Sequence, residues 1–247
     1  MGRAECGIIP AMRFFNSAGD LDGIALTRTY AEEVAVVISA LDCVLDTLDD
    51  GKAVYASSEL TSGYRLFELL RAHRVADAAQ LRTRLGDKAY RRLLWEPNVS
   101  AARDFARELR RQLSARLTAT QSASADANSG AFPGTVVVVE PAPFTAPSWD
   151  QPRYLAFWET LIRTRFKAVY FNQHWQYSNG CTFELAVAVD AGLPTFDASG
   201  VPLDLERGVE LVGAAVRDVE ATGLTDGGLR EGLARLQRLG KTPIPSR

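Results

Sequence analysis

The chain has 247 residues, 47% hydrophobic and 23% charged, with a net charge of −2, enough for one full-sized core and no general attraction to nucleic acid or an anionic membrane. Its three cysteines, Cys6, Cys43 and Cys181, are odd in number and far apart, which suits a reducing compartment better than a disulfide framework. Two histidines, His73 and His174, and no CxxC pair leave little material for a zinc site, and no apolar run reaches the length of a membrane span.

The amino-terminal stretch MGRAECGIIPAMRFF lacks the organisation of a secretory signal, and Cys6 stands where a myristoylation signal needs Ser or Thr. The expectation is a cytoplasmic protein that uses no metal and no cofactor and has neither nucleic acid nor membrane as a partner.

In chain order, Tyr30, Val34, Val37, Ile38, Leu41, Val44, Leu45 and Leu48 recur at helical spacing, ended by Asp49-Asp50-Gly51. Residues 1–51 are therefore expected to form an extension with an amphipathic helix, ahead of an α/β domain over 52–247. Lys52 to Ser58 predicts the first strand, and Glu59-Leu60-Thr61-Ser62-Gly63 a polar loop leading to a helix around Tyr64 to Ala72. Arg71 to Arg92 has weak helical periodicity and the composition of a solvated helical face.

Val99, Ala102, Phe105, Ala106, Leu109 and Leu113 mark a clearer helix, with Asn98 as its expected cap after Pro97. Thr118 to Gly134 is small and polar, the composition of a mobile insertion. Thr135 to Val139 is a continuous β-branched run, the form of a central parallel strand. Ala146 to Arg153 is loop-like; Trp158, Leu161, Ile162 and Phe166 place a helix before a strand at Ala168 to Asn172. Two closing helices follow from Val209, Val212, Val216 and Val219, then Leu229, Leu233 and Leu236. The alternation predicts an α/β fold, a parallel-sheet Rossmann or flavodoxin-like three-layer sandwich with an added N-terminal helix.

The segment Lys167 to Phe196 concentrates the chemistry. A strand passes through a loop rich in hydrogen-bonding groups into a helix over Cys181 to Ala191, which carries one carboxylate, Glu184, among Phe183, Leu185, Ala186, Val187, Ala188 and Val189. A Glu in the first turn of a helix is ordinarily explained by the macrodipole. Here the flanking residues describe a helix covered on most sides, where an ionised carboxylate costs several kcal/mol unless it is paired or used. Strand-to-helix loops of open α/β sheets lie at the carboxyl edge, where ligands bind.

Thr61, Ser62 and Gly63, with Ser58, Ser178 and Asn179, supply hydroxyls and backbone N–H groups at helix starts that suit an anion; ordinary capping is the competing explanation for each. Trp149, Tyr154, Trp158, His174, Trp175 and Tyr177 concentrate aromatic rings around the same loops, either as core or as a base-stacking pocket.

Tyr55 in the first strand, the helix starting near Trp158-Glu159, and Ser178-Asn179-Gly180-Cys181-Thr182-Phe183-Glu184 together resemble the nucleoside 2-deoxyribosyltransferase superfamily, over roughly residues 52–204. Gly180, Glu184 and Ala188 fit its Gly-x-x-x-Glu-x-x-x-Ala pattern. The resemblance implies Glu184 as nucleophile and Glu159 as the acidic residue assisting the leaving base; Tyr55 is either a core strand residue or a hydroxyl directed at Glu184 or the sugar. The transferases place an Asp six residues before the nucleophile, whereas the branch cleaving nucleoside 5′-monophosphates has a Ser there, as Ser178 stands here; that favours a nucleotide substrate and hydrolysis. Homodimers are also implied. A base-exchanging transferase and a non-catalytic nucleotide-binding or sensing module remain the alternatives.

Overall fold

The computed structural model describes residues 53–123, 136–143, 150–225 and 227–241. The expected helix over Tyr30 to Leu48, the residue Trp149 and most of the expected insertion lie outside the described residues.

Among the described residues four strands, β1 (Ala53–Ser57), β2 (Val137–Val139), β3 (Val169–Phe171) and β4 (Thr195–Phe196), form one sheet in the order β2-β1-β3-β4. Every pairing is parallel, with Tyr55 opposite Val139 on one side and Val169 on the other. The β-branched runs are explained by burial on both faces. Tyr55, Val139, Val169 and Phe171 belong to one apolar cluster, and Val54, Ala56, Val138, Ala168 and Tyr170 to another, as the period-two alternation of a strand requires. The molecule is thus a Rossmann-like parallel α/β protein.

Between β1 and β2 the chain makes a long excursion through α1 (Tyr64–His73), α2 (Ala78–Leu85), α3 (Asp87–Tyr90), a π-helical turn (Arg91–Trp95) and α4 (Glu96–Ala123). Phe105, Ala106 and Leu109 of α4 cover the Val54 and Ala56 face of the sheet. Two expectations change here. Asn98 does not cap α4: the helix continues from the π turn, Pro97 is tolerated within its first turn, and the Asn98 amide Nδ2 donates to the Leu60 carbonyl at 3.1 Å. Residues 118–123, the first part of the segment whose composition suggests a mobile insertion, continue α4.

α5 (Gln151–Arg165) begins well before Trp158, because Asp150 caps it by accepting from the Arg153 N–H at 3.2 Å and Pro152 sits in its first turn. Glu159 therefore lies in mid-helix and not at its start. After β3, a 3₁₀ turn (Trp175–Tyr177) leads into α6 (Asn179–Asp190), and β4 is followed by α7 (Leu205–Ala221) and α8 (Leu229–Leu239). α6 is buried from Cys181 to Ala188, packed against α5 and α8. Burial of a side chain such as Leu185, fully covered here, stabilises by roughly 1.5–3 kcal/mol.

The strand order changes direction at β1: one crossover runs outward to β2, the next passes back over β1 to β3 and on to β4. In such sheets the crevice for ligands opens between the two central strands at their carboxyl ends. Those ends are Ser57 and Phe171, with the loops that follow them.

Candidate functional site

Glu184 is 6% exposed, in the second turn of α6 directly over the end of β1. Its Oε1 accepts from the Tyr55 hydroxyl at 2.9 Å and its Oε2 from Ser57 Oγ at 2.6 Å. Tyr55 and Ser57 are two residues apart on the same face of β1, so one strand offers two donors to both carboxylate oxygens. Burial raises the Glu184 carboxyl to a pKa of about 7, against the opposing effect of those two hydrogen bonds. Tyr55 is itself fixed by stacking, with ring centroids 4.8 Å from Trp158 and 5.3 Å from Phe166. Its phenol is pushed well above the ordinary value, by burial first and then by the neighbouring Glu184, and stays a donor.

A cavity of about 340 Å³ opens onto Glu184. With Glu184 it is lined by Ser58, Leu60, Thr61, Ser62, Ser178, Gly180 and Cys181 and by Trp95, Pro141, Ala142, Gln151, Tyr154, Leu155 and Trp158. The size is that of a site for a small organic molecule, and the mixture of aromatic walls with a few polar groups fits one. Glu184 is the single carboxylate in the lining among the described residues, and no Lys, Arg or His lines it there.

The hydroxyl groups gather at the start of α6. Ser178 caps that helix, its Oγ accepting from the Cys181 N–H at 3.4 Å, and lies 3.1 Å from Ser62 Oγ. Ser58 is 7% exposed, and its Oγ makes no hydrogen bond within the protein. A buried hydroxyl left unpaired while lining a cavity is a group a ligand or water would satisfy. With the backbone N–H groups at the α6 N-terminus, these hydroxyls can bind an anionic or hydroxylated group.

The remaining expected residues lie elsewhere. Glu159 is absent from the cavity lining; its Oε1 accepts from Arg163 Nε at 2.9 Å, and Arg163 reaches on to Asp190 Oδ2 at 2.7 Å. Its carboxyl is raised chiefly by burial, and Arg163 opposes the rise.

His174 is an exposed residue in the left-handed region, φ 62°, with its ring stacked 4.6 Å from Tyr64. Tyr177 donates its hydroxyl to Asp218 at 2.9 Å, and Trp175 is buried against Phe171. These three rings and the Asn179 side chain, which faces Gly228, do not line the cavity. Gly63 stands at the N-cap of α1, outside the lining.

Two contributors were not singled out from the sequence. Ser57 was signalled by strand alternation: any face that turns Tyr55 toward a ligand also turns residue 57. Trp95 carried no such signal, since it is remote in sequence and reaches the site through a π turn, where the Arg91 guanidinium lies 4.4 Å over its ring. π-helical turns recur at functional sites.

Among the described residues no group of three His, Cys, Asp or Glu side chains is placed to hold a metal, and no helix is long and apolar enough to cross a membrane. Comparison with protein-family models, curated proteins and solved structures gives no match.

Proposed function

We propose that this protein is an N-glycosidase-like enzyme that hydrolyses the bond between the sugar and the base of a nucleotide or related ribosylated compound, with Glu184 as nucleophile. The observation that carries the reading is the Tyr55–Glu184–Ser57 arrangement: a buried carboxylate, oriented by two donors, at the floor of an aromatic-walled cavity at the switch point of a parallel sheet.

In this reading a carboxylate oxygen of Glu184 attacks C1′ as positive charge develops there. The C1′–N bond breaks, its electron pair stays on the base nitrogen, and that nitrogen takes a proton from water. A second water then attacks C1′ of the glycosyl ester, the C1′–O bond returns its pair to Glu184, and the surplus proton passes to solvent. Tyr55 and Ser57 hold the attacking group in place. Trp95, Tyr154 and Trp158 offer stacking surfaces for a planar base, and Ser58, Ser62, Ser178 and the α6 N-terminus receive the polar end of the sugar or its phosphate. Glu159, committed to Arg163, is given no proton-transfer role. The same reading includes a three-layer arrangement, a cytoplasmic setting and a homodimer.

A panel of nucleosides and nucleotides assayed for free base by chromatography tests it. Base released without exchange supports hydrolysis; base transferred to a second base makes the protein a deoxyribosyltransferase; saturable binding with no product makes it a sensing module. Absence of both turnover and binding across the panel overturns the reading.

A further inference from the structure

The loop between β1 and α1 forms one wall of the cavity, and it is held by a carboxylate that the chemistry above leaves unused. Glu59 folds forward over the start of α1, where its Oε2 accepts from the Tyr64 N–H at 3.1 Å. Burial raises the Glu59 carboxyl to a pKa of about 7, opposed by the N–H groups of Tyr64 and Arg65 and by the Arg65 guanidinium, which favour its charged form. α1 has no cap of its own, because its N-cap is Gly63 and no acidic residue lies in its first turn.

The fit is tight. A Cβ built on Gly63 would stand 1.7 Å from Glu59 Oε2 and 2.3 Å from the carboxyl carbon, so the carboxylate occupies the volume any other residue would fill. Gly63 also has φ +97°, in the region that favours glycine.

Three ties then hold one short loop: Glu59 to Tyr64, the Leu60 carbonyl to Asn98 Nδ2 at 3.1 Å, and Ser62 Oγ to Ser178 Oγ at 3.1 Å. Between them lie Leu60, Thr61 and Ser62, all facing the cavity. Glu59 is also near enough to the first turn of α6 for its charge to oppose ionisation of the Cys181 thiol.

We propose that Glu59 is a positioning residue: the chain's own carboxyl group at the N-terminus of α1, which locks the 59–63 loop and thereby holds Thr61 and Ser62 in the cavity wall, with Ser62 against Ser178. A consequence concerns ligands. The N-terminus of α1 is already filled by an internal carboxylate, so an anionic group of a substrate is directed to the N-terminus of α6 alone. The bearing on catalysis rests on the function proposed above. The geometry of the loop does not, so it is tested without turnover.

Amide hydrogen exchange on the intact, unliganded chain reads the loop directly. Glu59→Ala is expected to accelerate exchange at Tyr64 and Arg65 at least tenfold while β1, β3 and α6 keep their protection. Glu59→Gln, which retains an acceptor oxygen in the same volume, restores protection to within about threefold of the parent. Gly63→Ala, which expels the carboxylate, reproduces the Glu59→Ala pattern, and the double variant shows less than the product of the two separate accelerations, because both remove one contact.

Glu59→Asp stops one methylene short of Tyr64 and gives a milder form of the same local change, so it carries the test if the Ala variant does not accumulate as folded protein. Unchanged exchange at Tyr64 and Arg65, or acceleration spread evenly over the sheet and helices, overturns the assignment. A blank substrate panel would remove the proposed function and leave this result standing.

Discussion

Ser57 Oγ donates to Glu184 Oε2 at 2.6 Å, joining the end of the first strand to the second turn of a helix 127 residues away in sequence. The bond explains how a carboxylate can sit 6% exposed among apolar side chains with no cation bonded to it among the described residues: the hydroxyls of Ser57 and Tyr55 are its two partners there. Such an arrangement leaves the charge only partly compensated, as the nucleophile proposed above requires.

The first prediction follows from that charge. Glu184→Gln keeps size and hydrogen-bonding capacity and loses the anion. Base release is expected to fall at least about a thousandfold, corresponding to about 4 kcal/mol of transition-state stabilisation, with ligand affinity within about threefold of the parent. Near-normal release from correctly folded Glu184→Gln protein would remove Glu184 from the nucleophile's place.

Stability gives an independent check on the same residue. Its folded-state pKa, about 7, lies above the ordinary carboxyl value of 4.5, so between those values the folded protein holds a proton that the unfolded chain has released. Stability from this group is therefore full below pH 4.5 and is lost as pH rises through about 7, on the order of 3 kcal/mol in total. Glu59, also raised to about 7, contributes a slope of the same sign. Chemical denaturation at pH 5 and pH 8 should show the parent losing stability between the two, and Glu184→Gln losing about half as much. An unchanged slope in the variant would mean that Glu184 is not buried as described.

Activity should carry the same group with the opposite sense. A nucleophile must be ionised, so kcat/KM is expected to fall as pH drops below about 7. Ser57→Ala removes a donor to the charged form, so the limb should move toward alkaline pH, with kcat/KM at pH 7 down about tenfold. Tyr55→Phe should do likewise while keeping its stacking against Trp158 and Phe166. A limb that stays in place in both variants would show that these hydroxyls do not hold the reactive carboxylate.

The parts legible in the sequence are those with a local physical signal. The β-branched run ending at Val139 read as a buried strand, and the apolar flanks of Glu184 announced a carboxylate in a covered helix. Other features depend on how distant elements meet. Apolar periodicity places the start of α5 too late because its cap, Asp150 with Pro152, precedes that periodicity by two turns, and the earlier start puts Glu159 in mid-helix. Pro97 suggested a boundary where the chain runs on from a π turn, a geometry without a sequence pattern. The crowding of aromatics between Trp149 and Tyr177 was visible, yet strand, turn and helix send them in different directions: Tyr154 and Trp158 into the cavity, and His174 and Tyr177 toward Tyr64 on α1.

That division of the aromatics supplies the last prediction. Trp95 and Tyr154 line the cavity, and Trp95 comes from the excursion between α3 and α4. Loss of one stacking surface for a base costs about 1–3 kcal/mol, so Trp95→Ala should raise KM about tenfold to a hundredfold. Its effect on kcat should be smaller, because the ring is not among the groups touching Glu184. His174→Ala and Tyr177→Phe serve as the contrast, since their rings stack on or beside Tyr64 and do not line the cavity; each should change KM less than twofold. Steady-state kinetics on whichever compound releases base in the panel decides it. A large KM effect from His174→Ala together with none from Trp95→Ala would place the base on the α1 side of the molecule and overturn the cavity assignment.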